Sequence, residues 1–239
     1  MSALYPLFEL LNAHADDEYK ESMKRFFKTG KGEYAEHDEF MGLKTTAIRK
    51  IIKPFYHINK SDLSVLITHP IHEIRMAGLL ILVKQYQKNR KKDPEPYVNL
   101  YLDHLDYVNN WDLVDGSCRD LLGDYLITRP RDILYKLANE ENIWKQRVAI
   151  VSTYALIKTG DFTDTFEITK RMFDKKEDIL LKGIGWMLRE INSRGSQKEL
   201  EEFLTQNISD IQGKVLTIAI QDFSQERKQF FKNLKGEAA

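Results

Sequence analysis

The chain has 239 residues, 42% of them hydrophobic and 30% charged, with 36 basic side chains against 36 acidic ones and one cysteine, Cys118. These values exclude a disordered or collagen-like chain and a disulfide framework or multi-cysteine metal site. The longest apolar run, Ala77 to Val83, is too short to span a membrane. The start, Met1-Ser-Ala-Leu-Tyr, lacks the basic and apolar regions of a signal peptide, so a soluble cytoplasmic protein is expected.

Apolar spacing predicts helices almost throughout. Residues 1–19 carry four acids and no Lys or Arg, whereas residues 20–60 carry ten bases against five acids. Pro54 falls near the end of one helical pattern. Ile71, Ile74, Gly78 and Ile81 or Leu82 recur at three and four, with Pro70 in the first turn. Residues 84–92 then carry five bases and no acid, a run read as a solvated helix face or as part of a basic side that binds a polyanion. Asp93-Pro94-Glu95-Pro96 is a loop leading into a helix at about Tyr97. Arg129-Pro130 starts a later helix. Thr159-Gly160-Asp161 and Ser193-Arg194-Gly195-Ser196 separate further ones. Asp115-Gly116 lies inside an apolar-periodic segment, and alternating strands are missing from the pattern.

About twelve helices result, arranged as two-helix units near 61–92, 93–126, 127–158, 159–194 and 195–234. That period predicts an all-α fold, a right-handed α-solenoid of HEAT-like repeats in a single domain over residues 1–239. Its concave surface is lined by the second helix of each pair.

Three segments carry the chemistry. In Asn109-Asn110-Trp111-Asp112-Leu113-Val114-Asp115, Asp112 or Asn110 caps a helix start. Trp111 and Asp115 are four apart and share one face. A carboxylate beside an indole suits a cleft that faces developing positive charge, since an unpaired charge is costly in a core. Asp112 lies off that face, where Asn caps as well as Asp, so Asp112→Asn serves as a control. In Lys182-Gly183-Ile184-Gly185-Trp186-Met187-Leu188-Arg189, positions 182, 186 and 189 form a basic–aromatic–basic stripe. Gly183 and Gly185 each weaken a helix by about 1 kcal/mol. They call for a close approach by a ligand or another backbone, or for tight helix packing. In the third segment Trp144 is a structural residue at a helix start, and Arg147, Tyr154 and Lys158 align on one face. Arg147 there is either a phosphate clamp or an ordinary surface arginine.

Among the six histidines only His69 and His72 are close, and His72-Glu73 lacks the second histidine of a metalloprotease helix. Walker and dinucleotide fingerprints are also missing, so neither a metal nor a cofactor is expected.

Asn110-Trp111-Asp112-x-Val114-Asp115, Asn142-Ile143-Trp144-x-Gln146-Arg147-x-Ala149-Ile150 and Gly185-Trp186-x-Leu188-Arg189-Glu190 together resemble the DNA alkylation repair glycosylases built from HEAT-like repeats. His72-Glu73-x-Arg75, Phe40-Met41-Gly42-Leu43 and Leu122-Gly123-Asp124 add to the match, which covers roughly residues 20–235 in order. The resemblance implies excision of N3- or N7-alkylated purines from double-stranded DNA, with the lesion left stacked. By motif, Asp115 would be the catalytic carboxylate, Trp111 and Trp186 would lie against the sugar, and Arg147 would contact phosphate. Lys182 and Arg189 are expected to line the same basic concave face and bind phosphate, in a protein acting as a monomer. No second acid is required, because a cationic base leaves without protonation.

The chain departs from the family pattern twice. Ser22 stands where an aromatic often forms a third cleft wall, with Tyr19, Phe26 or Phe27 as the candidates to replace it. The loop Gly30 to Glu39 has no counterpart in the shortest family pattern. The competing reading is a non-catalytic helical-repeat module that binds DNA structures or a protein partner.

Overall fold

The computed structural model describes residues 4–238; Met1–Ala3, on which the reading of the chain's start partly rests, and Ala239 lie outside the described residues. Regular secondary structure among the described residues is helical, apart from one isolated parallel bridge between Glu39 and Ile71. The all-α expectation is met. The chain divides into two compact units, Met1–Leu121 and Leu122–Ala239. No described helix is long and apolar enough to cross a membrane.

The first unit contains α1 (Tyr5–Ala13), α2 (Asp17–Phe26), α3 (Thr45–Ile51), α4 (Lys60–Ile67), α5 (His72–Asn89), α6 (Glu95–Asp103) and α7 (Trp111–Asp115). Its centre is α5, whose residues His72 to Val83 are all buried. A helix buried all round belongs in the middle of a bundle, and α5 packs on α3, α4, α6 and α7. It starts two residues beyond Pro70, because Ile71 is extended and the His72 N–H donates to the Glu39 carbonyl at 2.7 Å. Local caps fix other starts: Asp16 accepts from the Tyr19 N–H, and Asn59 from the Asp62 N–H.

The second unit contains α8 (Asp124–Leu126), α9 (Asp132–Ala138), α10 (Ile143–Ser152), α11 (Tyr154–Ile157), α12 (Thr163–Arg171), α13 (Asp178–Ser193), α14 (Gln197–Gln206), α15 (Gly213–Ala219) and α16 (Gln225–Glu237). Two of the predicted pairs recur here, α9 packing on α10 and α12 on α13; α13 also packs on α14 and α15.

The described residues form sixteen α-helical segments rather than about twelve, and two of the runs are interrupted. A π turn at Arg119–Gly123 follows α7. Thr153 separates α10 from α11, its hydroxyl donating back to the Ile150 carbonyl at 2.7 Å, a bond that bends helices.

Candidate functional site

In the first unit the start of α7 is held from beneath by a buried charged network. His72, the first residue of α5, bonds through Nδ1 to Asp38 at 2.8 Å and through Nε2 to Asp112 at 2.9 Å. One turn on, Arg75 donates to Asp38 at 2.5 Å, to Asn109 Oδ1 at 3.1 Å and to the carbonyls of His69 and Pro70. The Asn110 amide donates to Asp38 at 3.1 Å, and its oxygen accepts from the Trp111 N–H at 2.9 Å. Glu73 turns the other way and accepts from the N–H groups of Met41, Gly42 and Leu43. Gly42 is fixed as glycine by φ +87 and by the Asp16 carbonyl, which a Cβ would strike. The His72-Glu73-x-Arg75 motif therefore positions α7 and the 38–43 loop, and the loop from Gly30 to Glu39 supplies Asp38 to that network.

Burial works against a charged His72, but the Asp112 carboxylate and then Asp38 outweigh it and push its pKa up to about 9. Asp38 is likewise opposed by burial. Its bonds to His72 and Arg75 nevertheless hold it below the usual aspartate value. Because His72 is raised above its unfolded value of about 6.5, its contribution to stability is complete below that pH and is lost as pH rises through 9. Thermal melts between pH 6 and 10 are therefore expected to show a falling Tm on the alkaline side. His72→Gln should flatten that slope; an unchanged slope would mean His72 does not carry it.

These bonds correct the expectation for Asp112. Its carboxylate is committed to His72, so Asp112→Asn is not a neutral control.

Above the network lies a stack of rings. The Phe40 ring stacks on His72 at 4.6 Å, Phe27 on Phe40 at 5.1 Å and Trp111 on Phe27 at 5.5 Å. Phe26 stands edge-on to Trp111 at 5.8 Å and is 65% exposed. A cleft of about 160 Å³ opens here, with Met23, Phe26, Trp111 and Asp112 among its walls. Phe26 and Phe27 thus stand beside Trp111, whereas Ser22 is exposed one turn earlier on α2. Asp115 closes α7, half-buried, one turn beyond Trp111 on the same face. Its carbonyl accepts from Arg119 Nε at 3.1 Å. Its charge is one of several influences, with burial foremost, that raise the pKa of the buried Tyr101 hydroxyl.

In the second unit Trp144 is buried as the second residue of α10, as expected, and Asn142 caps that helix through the Trp144 and Lys145 N–H groups. Arg147 is not an ordinary surface arginine. It is 4% exposed and donates to the Ile179 carbonyl at the start of α13. Gly183 makes room for it, since a Cβ there would lie 2.9 Å from Arg147 Nη1. A Cβ on Gly185 would lie 2.7 Å from the Ile218 Cβ on α15. Packing explains both glycines. Gly185→Ala is expected to destabilise by about 1 kcal/mol or more in urea titrations, overpacking outweighing the gain in helix propensity. A stabilised variant would show that α15 yields.

Trp186 projects from α13, its indole N–H donating to Glu190 at 2.9 Å and its ring 6.4 Å from Tyr154. Lys158 and Arg194 both approach the Tyr154 ring, and Arg194 donates to its hydroxyl at 3.1 Å. Sequence spacing does not bring out Arg194, which lies beyond the end of α13. Lys182 is exposed and pairs with Asp178 at 2.7 Å. Arg189 donates to Gln221 at 2.6 Å and lies 3.8 Å from Asp222. No cluster of three metal-ligating side chains occurs among the described residues.

No curated protein matches the sequence. A solved structure described as a predicted DNA alkylation repair enzyme from Enterococcus faecalis superimposes with a TM-score of 0.69 at 17% identity, covering 89% of this chain and 98% of that one. At that identity the likeness establishes the fold alone. The profile of the family described as DNA alkylation repair enzyme matches residues 7–223, nearly the whole of the chain. With that match, the chain belongs to the DNA alkylation repair enzyme family.

Proposed function

We propose that this protein is a DNA glycosylase that hydrolyses the N-glycosidic bond of N3- and N7-alkylated purines in duplex DNA, leaving the base stacked. The observation that carries the reading is the Trp111–Asp115 face of α7. Of the two carboxylates on that short helix, Asp112 is bound to His72, and Asp115 is the one that shares a face with the indole.

Alkylation gives the purine a positive charge. When the C1′–N bond breaks, its electron pair neutralises the base, and the deoxyribose becomes an oxocarbenium ion. Asp115 stabilises that cation and takes a proton from the water that adds to C1′. The indole face of Trp111 attracts that charge, a contact worth about 0.5–2 kcal/mol, and Trp186 is a second substrate-binding residue on this reading. Phe26 and Phe27 serve as the aromatic wall that Ser22 cannot supply. Lys182 and Arg189 contact backbone phosphates, whereas Arg147, buried and bonded to the Ile179 carbonyl, braces the start of α13 instead of reaching a phosphate.

The test is release of 7-methylguanine and 3-methyladenine from methylated duplex DNA. Release by the wild type supports the reading. Tight DNA binding without release of either base replaces it with the non-catalytic helical-repeat module.

A further inference from the structure

The function proposed above leaves unused a concavity of about 650 Å³ in the first unit, a size usual for ligand clefts. Its walls carry Lys53, Lys60, Lys84 and Lys88 with Tyr56 and Tyr97, and no acidic residue lines it. Lys84 and Lys88 sit one turn apart on α5, a like-charge spacing that weakens a helix. Lys53 comes from the turn after α3, and Lys60 opens α4. Among the described residues none of the four makes an ion pair; Lys84 donates to the neutral Gln87 at 3.0 Å. Asp62, the acid near the rim, accepts from the Asn59 amide at 2.9 Å. Lys60 lies over the Tyr97 ring at 5.4 Å.

The frame is fixed rather than adaptable. Gln85, between the two α5 lysines, donates to the carbonyls of Tyr56 and Ile58 at 3.2 and 2.7 Å, tying the turn before α4 to the central helix. Four lysines lining one concavity on a fixed frame repel one another, and folding gains nothing from the repulsion. An oxyanion with several charges relieves it. Lysine ammonium groups act as point-charge phosphate binders, and the half-buried tyrosines offer ring faces to a base or sugar. Lys84 lies twelve residues beyond His72 on α5, about 18 Å along the axis, so this is not the Trp111 cleft.

We propose that this basic concavity is a second, phosphate-binding site that takes closely spaced phosphates, either those of a DNA backbone or the free polyphosphate of a nucleotide. The DNA source rests on the function proposed above; the free polyphosphate does not.

The test compares wild type with K84Q/K88Q and with K53Q/K60Q, all checked for folding by circular dichroism. K170Q/K198Q, which removes two lysines of the second unit, is the control. One arm measures binding of a fluorescein-labelled undamaged duplex across a salt series. Each phosphate no longer neutralised should lower the slope of log K against log salt by about 0.9, so each concavity variant should lose about 1.8. The other arm titrates inorganic tripolyphosphate calorimetrically.

A reduced DNA slope in both concavity variants, with the control unchanged, assigns the site to DNA. One-to-one tripolyphosphate binding that falls at least tenfold in the variants, with the DNA slope kept, assigns it to a free polyphosphate. Variants that match wild type in both arms overturn the proposal. Excision assayed in parallel separates the two readings, since loss of the glycosylase reading leaves the tripolyphosphate arm standing.

Discussion

Asp115→Asn is expected to slow excision of alkylated purines by about 10- to 1,000-fold, the range over which lost transition-state electrostatics is felt. The substitution keeps the shape and hydrogen-bonding capacity of the side chain and removes only its charge. DNA affinity should hold or rise, because a carboxylate near backbone phosphates repels them. The loss should be smaller for lesions whose base departs readily unaided, since they ask less of the protein. Asp112 cannot serve as the comparison, being tied to His72. Asp120, exposed five residues beyond Asp115, can: Asp120→Asn should excise at the wild-type rate. Single-turnover rates on methylated duplex decide the matter. An Asp115→Asn variant as fast as wild type removes Asp115 from the chemistry.

Asp38→Ala is expected to cost about 3–5 kcal/mol of stability, the penalty for leaving buried charges without their partner. The carboxylate is 3% exposed and serves His72, Arg75 and the Asn110 amide together. Its removal leaves the charged imidazole with Asp112 and takes from Arg75 the carboxylate it pairs with. Asp38→Asn, which keeps a hydrogen-bonding group, should fall between the alanine variant and wild type. Urea titrations with matched slopes would check the order. A loss below about 1 kcal/mol in Asp38→Ala would mean that the network does not hold the first unit together. Acid should act in the same direction. Asp38 is held below its ordinary value, so its contribution is present above about pH 4 and is lost as pH falls through its folded pKa.

The helix pairs are legible in the sequence because a 3.6-residue period is a local signal. The breaks at Gly160 and Gly195, both at positive φ, are legible for the same reason. The shared face of Trp111 and Asp115 follows from spacing alone. What spacing cannot show is what crosses from one segment to another. Asp112 reads as a spare cap because its partner, His72, is forty residues away. Arg147 reads as a choice between clamp and surface because nothing near it in sequence announces that Gly183 opens a slot for its guanidinium. The two glycines of α13 do signal a close approach, and only the packed neighbours reveal that a side chain and another helix make it. Phe26 and Phe27 are adjacent, so composition cannot separate the exposed ring from the buried one; α2 does so by ending between them.

The rings from His72 through Phe40 and Phe27 to Trp111 form a continuous pile, seated on a buried ionic base and hemmed by the amides that Glu73 gathers. Each ring blocks the rotamer changes of the next, so the wall of the cleft has already given up its side-chain entropy when the first unit folds. A ligand meeting it orders little further in the protein at that wall, and more of the interaction energy survives as affinity. Recognition on these terms favours an object that is itself stiff over one that must be worked into place.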